Sequence, residues 1–175
     1  AYITGGTKGI GYGIAKILLD HGMRVAFTSR SLSSAKQAAA SLNDDSSKVL
    51  ALESQVSSLD AETKAVKATI DHFGQLDVLI NNASSFFPTP LHQCTQDDWH
   101  DLVGSNLRAP LFLSQAAAPY LKAQRGCVIN IVDIHTERPL KHYLIYNAAK
   151  GGLLSLTKSL AVEMAPEVRV NGVSP

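Results

Sequence analysis

VINIVDIHTERPLKHYLIYNAAK, residues Val128–Lys150, is the stretch whose reading decides the fold. The run VINIV is short, apolar and rich in β-branched residues, which predicts a buried strand. At the far end stand Tyr146 and Lys150, four residues apart. On a helix such a pair lies on one face, about a turn apart. A strand-loop-helix unit delivers the pair to the C-terminal end of a strand, where open α/β sheets receive their ligands. A phenol has an ordinary pKa of about 10. A neighbouring cation is expected to lower it, so that the pair exchanges protons near neutral pH. Tyr143 lies in the same run but has no lysine four residues on. Asp133 stands at the strand tip, thirteen residues before Tyr146. Its carboxylate can hold a phenol or a water by a charge-assisted hydrogen bond, or it can cap a turn. Both readings stand at this point.

Outward from this stretch, the same alternation of strand and helix repeats. The chain opens on the end of a strand, Ala1–Thr4. There follows Thr4-Gly5-Gly6-Thr7-Lys8-Gly9-Ile10-Gly11, which opens a helix with Ile14, Ile17 and Leu18 on one face. Glycines there let the backbone approach a phosphate, and a helix N-terminus offers unpaired N–H groups and the positive end of its dipole. A second strand, Arg24–Thr28, leads into Ser29-Arg30-Ser31. An acid at that place would take the ribose 2′-hydroxyl of NAD, whereas Arg suits a 2′-phosphate. With no acid at 28–31 and a second cation at Lys8, the expected cofactor is NADP(H).

A helix over Leu32–Leu42, a turn cluster at Asn43-Asp44-Asp45-Ser46-Ser47 and a strand at Lys48–Leu52 come next. A helix over Leu59–Phe73 carries Val66, Ile70 and Phe73 toward the core, with Gly74 as its cap. The fourth strand, Leu76–Ile80, ends in Asn81-Asn82-Ala83-Ser84. In Ser85-Phe86-Phe87-Pro88-Thr89-Pro90 two adjacent aromatics are pinned by prolines. Either one offers a flat face to a ligand, or both pack beneath the loop.

Asp97-Asp98-Trp99 starts a helical stretch, and a helix is expected over Val103–Ala123. Its apolar residues go all round, including Leu107, Leu111, Phe112, Leu113 and Tyr120. The helix over Tyr146–Ala165 has a main stripe of Leu153, Leu156, Leu160 and Met164. Two such helices suggest burial against another subunit as well as the sheet. The sixth strand is Val168–Val170. Six strands alternating with helices, without repeat or linker, predict an α/β fold: one domain over residues 1–175 with a doubly wound parallel sheet. Both ends look cut, the first in a strand and the last in a turn after one.

Composition bounds the function. The chain has 175 residues and a net charge of +1, which predicts neither nucleic-acid binding nor attraction to a membrane surface. No apolar run reaches the roughly 20 residues of a membrane span. Cys94 and Cys127 are expected as buried thiols, not a disulfide or metal pair, and the six histidines show no metal-ligand spacing. These features suit a cytoplasmic enzyme without a metal.

The chain resembles the short-chain dehydrogenase/reductase family over nearly its whole length. Thr4-Gly5-x-x-x-Gly9-Ile10-Gly11, Asn81-Asn82-Ala83, Asn106 in its helix and Tyr146-x-x-x-Lys150 carry the resemblance. It implies that Tyr146 donates or accepts the proton, and that Lys150 binds the nicotinamide ribose and lowers the tyrosine pKa. It also implies that Asn106 supports a proton-relay water. It implies that Gly5, Thr7, Lys8, Gly9, Ile10, Gly11, Arg30, Ser31, Gln55, Asn82, Ala83 and Ser84 line the cofactor. A homotetramer or homodimer paired through the two long helices is also implied.

Three residues depart from the family's habit: Asp133 stands where Ser is usual, Gln55 where an adenine-binding Asp is usual, and Ser84 where Gly is usual. Asp133 together with Asn-Ala-Ser-Ser-Phe and Pro-Thr-Pro looks like the pteridine and dihydromonapterin reductases. That likeness implies Phe86 stacking on a pterin opposite the nicotinamide, Ser84 touching cofactor phosphate and substrate, and Asp133 with Tyr146 on the pterin edge. Gly9 departs from the Arg that parasite pteridine reductases carry there. The reading is therefore NADPH-dependent reduction of a dihydropterin or dihydrofolate. A ketone or oxoacyl thioester reductase and a non-catalytic NADP-binding protein are the alternatives.

Overall fold

In the strands, successive side chains point to opposite faces, and here each face has its own core. The computed structural model describes residues 1–43, 45–54 and 59–175. Strands β1 (Tyr2–Ile3), β2 (Val25–Ser29), β3 (Val49–Glu53), β4 (Val78–Asn81), β5 (Cys127–Ile131) and β6 (Arg169–Val173) form one sheet. Its order is β3-β2-β1-β4-β5-β6, and every pair is parallel. Ile3, Val25, Phe27 and Ile80 point to the face covered by α1 (Gly9–Asp20) and α2 (Leu32–Leu42), where Ala15, Ala35 and Ala38 let the helices sit close. Tyr2, Ala26, Leu79 and Val128 point to the other face. There Val66 and Phe73 of α3 (Leu59–Phe73) meet Leu113 and Leu121 of α5 (Ala109–Gln124). Met164 joins that core just past α6 (Leu144–Glu163). The predicted doubly wound α/β architecture is therefore the observed one.

The chain reverses direction across the sheet between β1 and β4. The crevice at that switch point, beyond the C-terminal strand ends, is the ligand position of such sheets. Three loops reach it: the glycine loop after β1, Asn82–Pro90 after β4, and the segment from β5 into α6. Asn82 knits the first two. Its Nδ2 donates to the Thr4 and Gly5 carbonyls at 2.9 and 3.0 Å, while the Thr4 hydroxyl accepts from the Asn82 and Ala83 N–H groups at 2.9 Å.

Several local expectations shift. The helix expected over Val103–Ala123 is the end of a longer helical run. Thr95 caps α4 (Gln96–Val103) with a capping box: its hydroxyl accepts from Asp98 N–H at 3.1 Å and Asp98 accepts from Thr95 N–H at 2.9 Å. Between α4 and α5 the run widens into a π-helical segment, Gly104–Arg108. The reason stands in the sequence, where Pro110 follows Asn106 by four residues. In an α-helix its ring would clash with the Asn106 carbonyl and leave it without a donor, and a π-turn avoids this. The helix carrying Tyr146 begins two residues early, at Leu144. Strand β4 starts later and β6 runs further than expected, because pairing with β5 sets both registers. Ile17 is 59% exposed, since Gly11 and Ala15 instead form the buried stripe of α1. Cys94 is exposed and Cys127 half-buried, both as free thiols, which corrects the expectation of two buried ones. Of the turn cluster, Asp44 lies outside the described residues; Asn43 and Asp45 form the expected turn contacts, with Asp45 N–H donating to Asn43 Oδ1 at 2.8 Å. Gly74 caps α3 with φ +79° and donates to Ile70 O at 2.7 Å. Among the described residues no helix is long and apolar enough to cross a membrane.

Candidate active site

The site begins with Asp133, just past β5. One carboxylate oxygen accepts from His135 N–H at 2.9 Å and caps the turn Ile134–Thr136. The other accepts a short hydrogen bond from the Tyr146 hydroxyl. The two readings of this residue are thus both true, one for each oxygen. Burial pushes the Asp133 carboxyl up, but the bonds from Tyr146 and His135 outweigh it and hold the group below the ordinary carboxylate range.

Tyr146 is buried, 4% exposed. Lys150 sits one turn on, its Nζ 5.8 Å above the Tyr146 ring centre and donating to Ile131 O at 2.8 Å. The expected lowering of the tyrosine pKa is not what this arrangement produces. Burial raises it first, and the Asp133 carboxylate raises it further, because ionisation would place two anions side by side. The phenol is therefore held protonated. Lys150, 3% exposed, is pushed down to about 8 by burial, with Asp133 opposing.

On the other side of the phenol lies the loop after β4. Ser84 Oγ donates to Asn106 Oδ1 at 2.7 Å. Asn106 sits in the π-helical segment, 1% exposed, its Nδ2 bound to Ser85 O and Leu102 O at 2.9 Å. Its amide side chain is thus occupied with fastening the Ser84–Ser85 loop. Thr89 fastens the same loop to the start of α6, accepting Ile145 N–H at 3.2 Å through its hydroxyl.

The adjacent phenylalanines divide the two roles offered to them. Phe87 packs against Leu102, Ile145 and Tyr146. Phe86 stays 53% exposed, stacked on Tyr143 at 4.6 Å and edge-on to Tyr146 at 4.8 Å. Tyr143, set aside in the sequence for want of a lysine four residues on, is a further site residue: it is the N-cap of α6, and its ring stacks on Phe86. Sequence reasoning missed Asn81 and Asn130: Asn81 Nδ2 donates to Asn130 Oδ1 at 2.8 Å and Asn130 to Thr157 at 2.9 Å, a buried polar line locking β4, β5 and α6 beneath the site. An Asn–Asn register pair shows only once the strands are paired.

The glycine loop fits a dinucleotide pyrophosphate. Gly5 and Gly9 have φ of +70° and +57°, which L side chains rarely adopt. A Cβ at Gly11 would run into the Gly5 carbonyl, so the helix can start this close only with glycine there. No atom would lie within 4 Å of a Cβ at Gly9, which leaves room above the first turn of α1. Lys8 is the N-cap of α1 and makes no side-chain cap bond, and Thr7 precedes it half-buried. Ile10 is 49% exposed at the first turn. Arg30 is exposed after β2 and lines a cavity of about 810 Å³ with Ser85, Trp99, Asp101, Ser105 and Arg108. Ser31 caps α2, its hydroxyl accepting from Ser34 N–H at 3.4 Å. Gln55 lies outside the described residues.

The family model described as short chain dehydrogenase matches residues 1–175. An uncharacterized oxidoreductase of Staphylococcus epidermidis is 32% identical over 177 residues, covering 100% of this chain and 76% of that protein. The 3-oxoacyl-[acyl-carrier-protein] reductase of Chlamydia muridarum is 32% identical over 178 residues, covering 100% of this chain and 72% of its own. A metagenomic short-chain oxidoreductase solved in complex with NADP superposes with a TM-score of 0.93 at 32% identity, covering 100% of this chain and 80% of that one.

Proposed function

The chain belongs to the short-chain dehydrogenase family, and from that premise we propose that this oxidoreductase uses NADPH to reduce a dihydropterin or dihydrofolate to the tetrahydro form. The observation that carries the reading is the bond between the Tyr146 hydroxyl and Asp133. A carboxylate here keeps the phenol protonated, ready to donate, and adds acceptor capacity that suits the amino-amide edge of a pterin. Phe86, half exposed beside that phenol, offers a stacking face to a flat heteroaromatic. Bound NADPH would supply the hydride. Lys150 would orient the nicotinamide ribose, the glycine loop would hold the pyrophosphate, and Tyr146 would deliver the proton to the ring nitrogen of the reduced C=N bond. In this reading the protein works in the cytoplasm as a homodimer or homotetramer. Leu111, Phe112 and Tyr120 of α5 and Val162 of α6, all partly or largely exposed, supply the pairing surface.

A second reading has support of its own. Relatives include a 3-oxoacyl reductase and a ketoacyl reductase of a polyketide synthase, so reduction of an oxoacyl thioester is the alternative. One assay separates them: NADPH oxidation with dihydrobiopterin, dihydrofolate and an acetoacetyl thioester in parallel. Turnover of the thioester alone would replace the pterin reading.

NADPH preference is expected to depend on Arg30. Arg30→Asp should weaken NADPH binding by about ten- to a hundredfold, the loss of one charge-assisted contact worth roughly 1.5–3 kcal/mol, and favour NADH. Fluorescence titration checks this; equal NADPH affinity in parent and variant would remove Arg30 from the 2′-phosphate site.

A further inference from the structure

We infer that Thr89 is a positioning residue for the proton step: from the loop after β4 it caps the helix that carries Tyr146, and so fixes where the phenol stands. The inference rests on Tyr146 as the proton donor proposed above.

A helix begins with N–H groups that have no partner inside it, and a Ser, Thr, Asp or Asn just before the first turn ordinarily takes one of them on its side chain. α6 has no such residue of its own. Its N-cap is Tyr143, which makes no side-chain cap bond. The phenol oxygen sits at the far end of a rigid ring and does not turn back on the backbone. The first turn is Leu144, Ile145 and Tyr146, so the proton donor stands in the part of the helix most prone to fray. Thr89 supplies the missing cap from fifty-six residues earlier in the chain. Its hydroxyl accepts from Ile145 N–H at 3.2 Å, the kind of bond a threonine in the N-cap position would make. Thr89 is 1% exposed, so the bond is closed to bulk water.

Backbone contacts hold this cap in register. Thr89 and Tyr143 form an isolated parallel bridge, in which Thr89 N–H donates to His142 O at 2.6 Å. His142, just before the N-cap, has φ +69°, a left-handed conformation that a residue with a side chain keeps only where its surroundings impose it. The Thr89 carbonyl accepts from Cys94 Sγ at 3.3 Å. All three polar groups of one threonine are thus engaged, two of them on the entry to α6. Tyr146 follows Ile145 directly, so a change in the course of this turn moves the phenol away from Asp133 and from the substrate atom it must reach. Proton transfer tolerates little such movement, since a misplacement of about 1 Å can cost about a hundredfold in rate.

The test is a double-mutant cycle on the whole protein, with saturating NADPH, enzyme in excess and the fastest substrate of the three-way assay. Thr89→Val keeps the branched shape and removes the acceptor. It should slow reduction about ten- to a hundredfold with NADPH affinity little changed. Thr89→Ser, which keeps the hydroxyl, should recover most of the loss. In the Tyr146→Phe background the same Thr89→Val change should cost less than about threefold, since the group it positions is gone. Equal losses in both backgrounds, or a lower melting temperature with unchanged rates per folded molecule, would make Thr89 a support of the fold and overturn the inference. Should Thr89→Val not fold, Thr89→Ala, which leaves room for a water on the Ile145 N–H, takes its place in the cycle under the same criteria. Failure of the underlying reading looks different: Tyr146→Phe would itself retain turnover, or no substrate of the panel would be reduced, and the inference would fall with it.

Discussion

Tyr146→Phe should lower turnover by roughly 10²–10⁴, the usual scale for a positioned general acid, while leaving NADPH binding nearly intact. The change removes one oxygen from a site where that oxygen donates to Asp133. Ring packing against Phe86 and Phe87 survives it. The pH profile offers a second check. Tyr146 is held protonated by burial and by Asp133, so a fall in reduction on the alkaline side belongs to another group. Lys150, pushed down to about 8 by burial, is that group. Above that pH its ammonium, which favours the developing phenolate, is lost, and kcat should decline. Stability runs the other way. Between about 8 and the ordinary lysine range the unfolded chain holds a proton that the folded chain has released, so the Lys150 contribution to stability rises with pH in that window. A decline in kcat that stays put in Lys150→Arg would assign the limb elsewhere, and near-parental turnover in Tyr146→Phe would end the case for the phenol.

Asp133→Ser should cost pterin reduction roughly a hundredfold or more and bring some ketone reduction. The carboxylate has two tasks, one per oxygen, and Ser can replace only the capping one. Without the charge the phenol ionises more readily and the acceptor capacity for a pterin edge is halved. Asp133→Asn separates the tasks further, since it keeps volume and cap but not charge. Phe86→Ala tests the stacking face: it should act mainly on KM, because stacking contributes about 0.5–1.5 kcal/mol beyond area burial. Melting temperatures and kinetics on the same preparations decide between function and mere support. If Asp133 only closed a turn, Asp133→Ala would melt earlier yet turn over normally per folded molecule.

The parts of this site that lie close together along the chain are legible in the sequence. Tyr146 and Lys150 share a helix face because 3.6 residues make a turn, and the glycine loop follows from strand, glycines and helix in that order. The parts that stay hidden are local as well as distant. Apolar spacing does not reveal the π-helical segment at Gly104–Arg108, although Pro110 signals it. Tyr143 has no lysine four residues on and so draws no attention as a proton donor, yet it is the ring that stacks on Phe86.

From sequence alone came the alternation of strands and helices, hence the doubly wound parallel sheet, the glycine cradle and the phenol-ammonium pair, because each is written in short-range periodicity or spacing. Tertiary structure alone decided that both roles of Asp133 hold at once, that Ser84 and Asn106 meet, and that Tyr146 is pushed up rather than down. Those outcomes depend on which loops converge at the switch between β1 and β4 and on how much water they exclude. A charge four residues away along a helix is visible in a sequence; the burial and the facing carboxylate that outweigh it arise only when the strands are side by side.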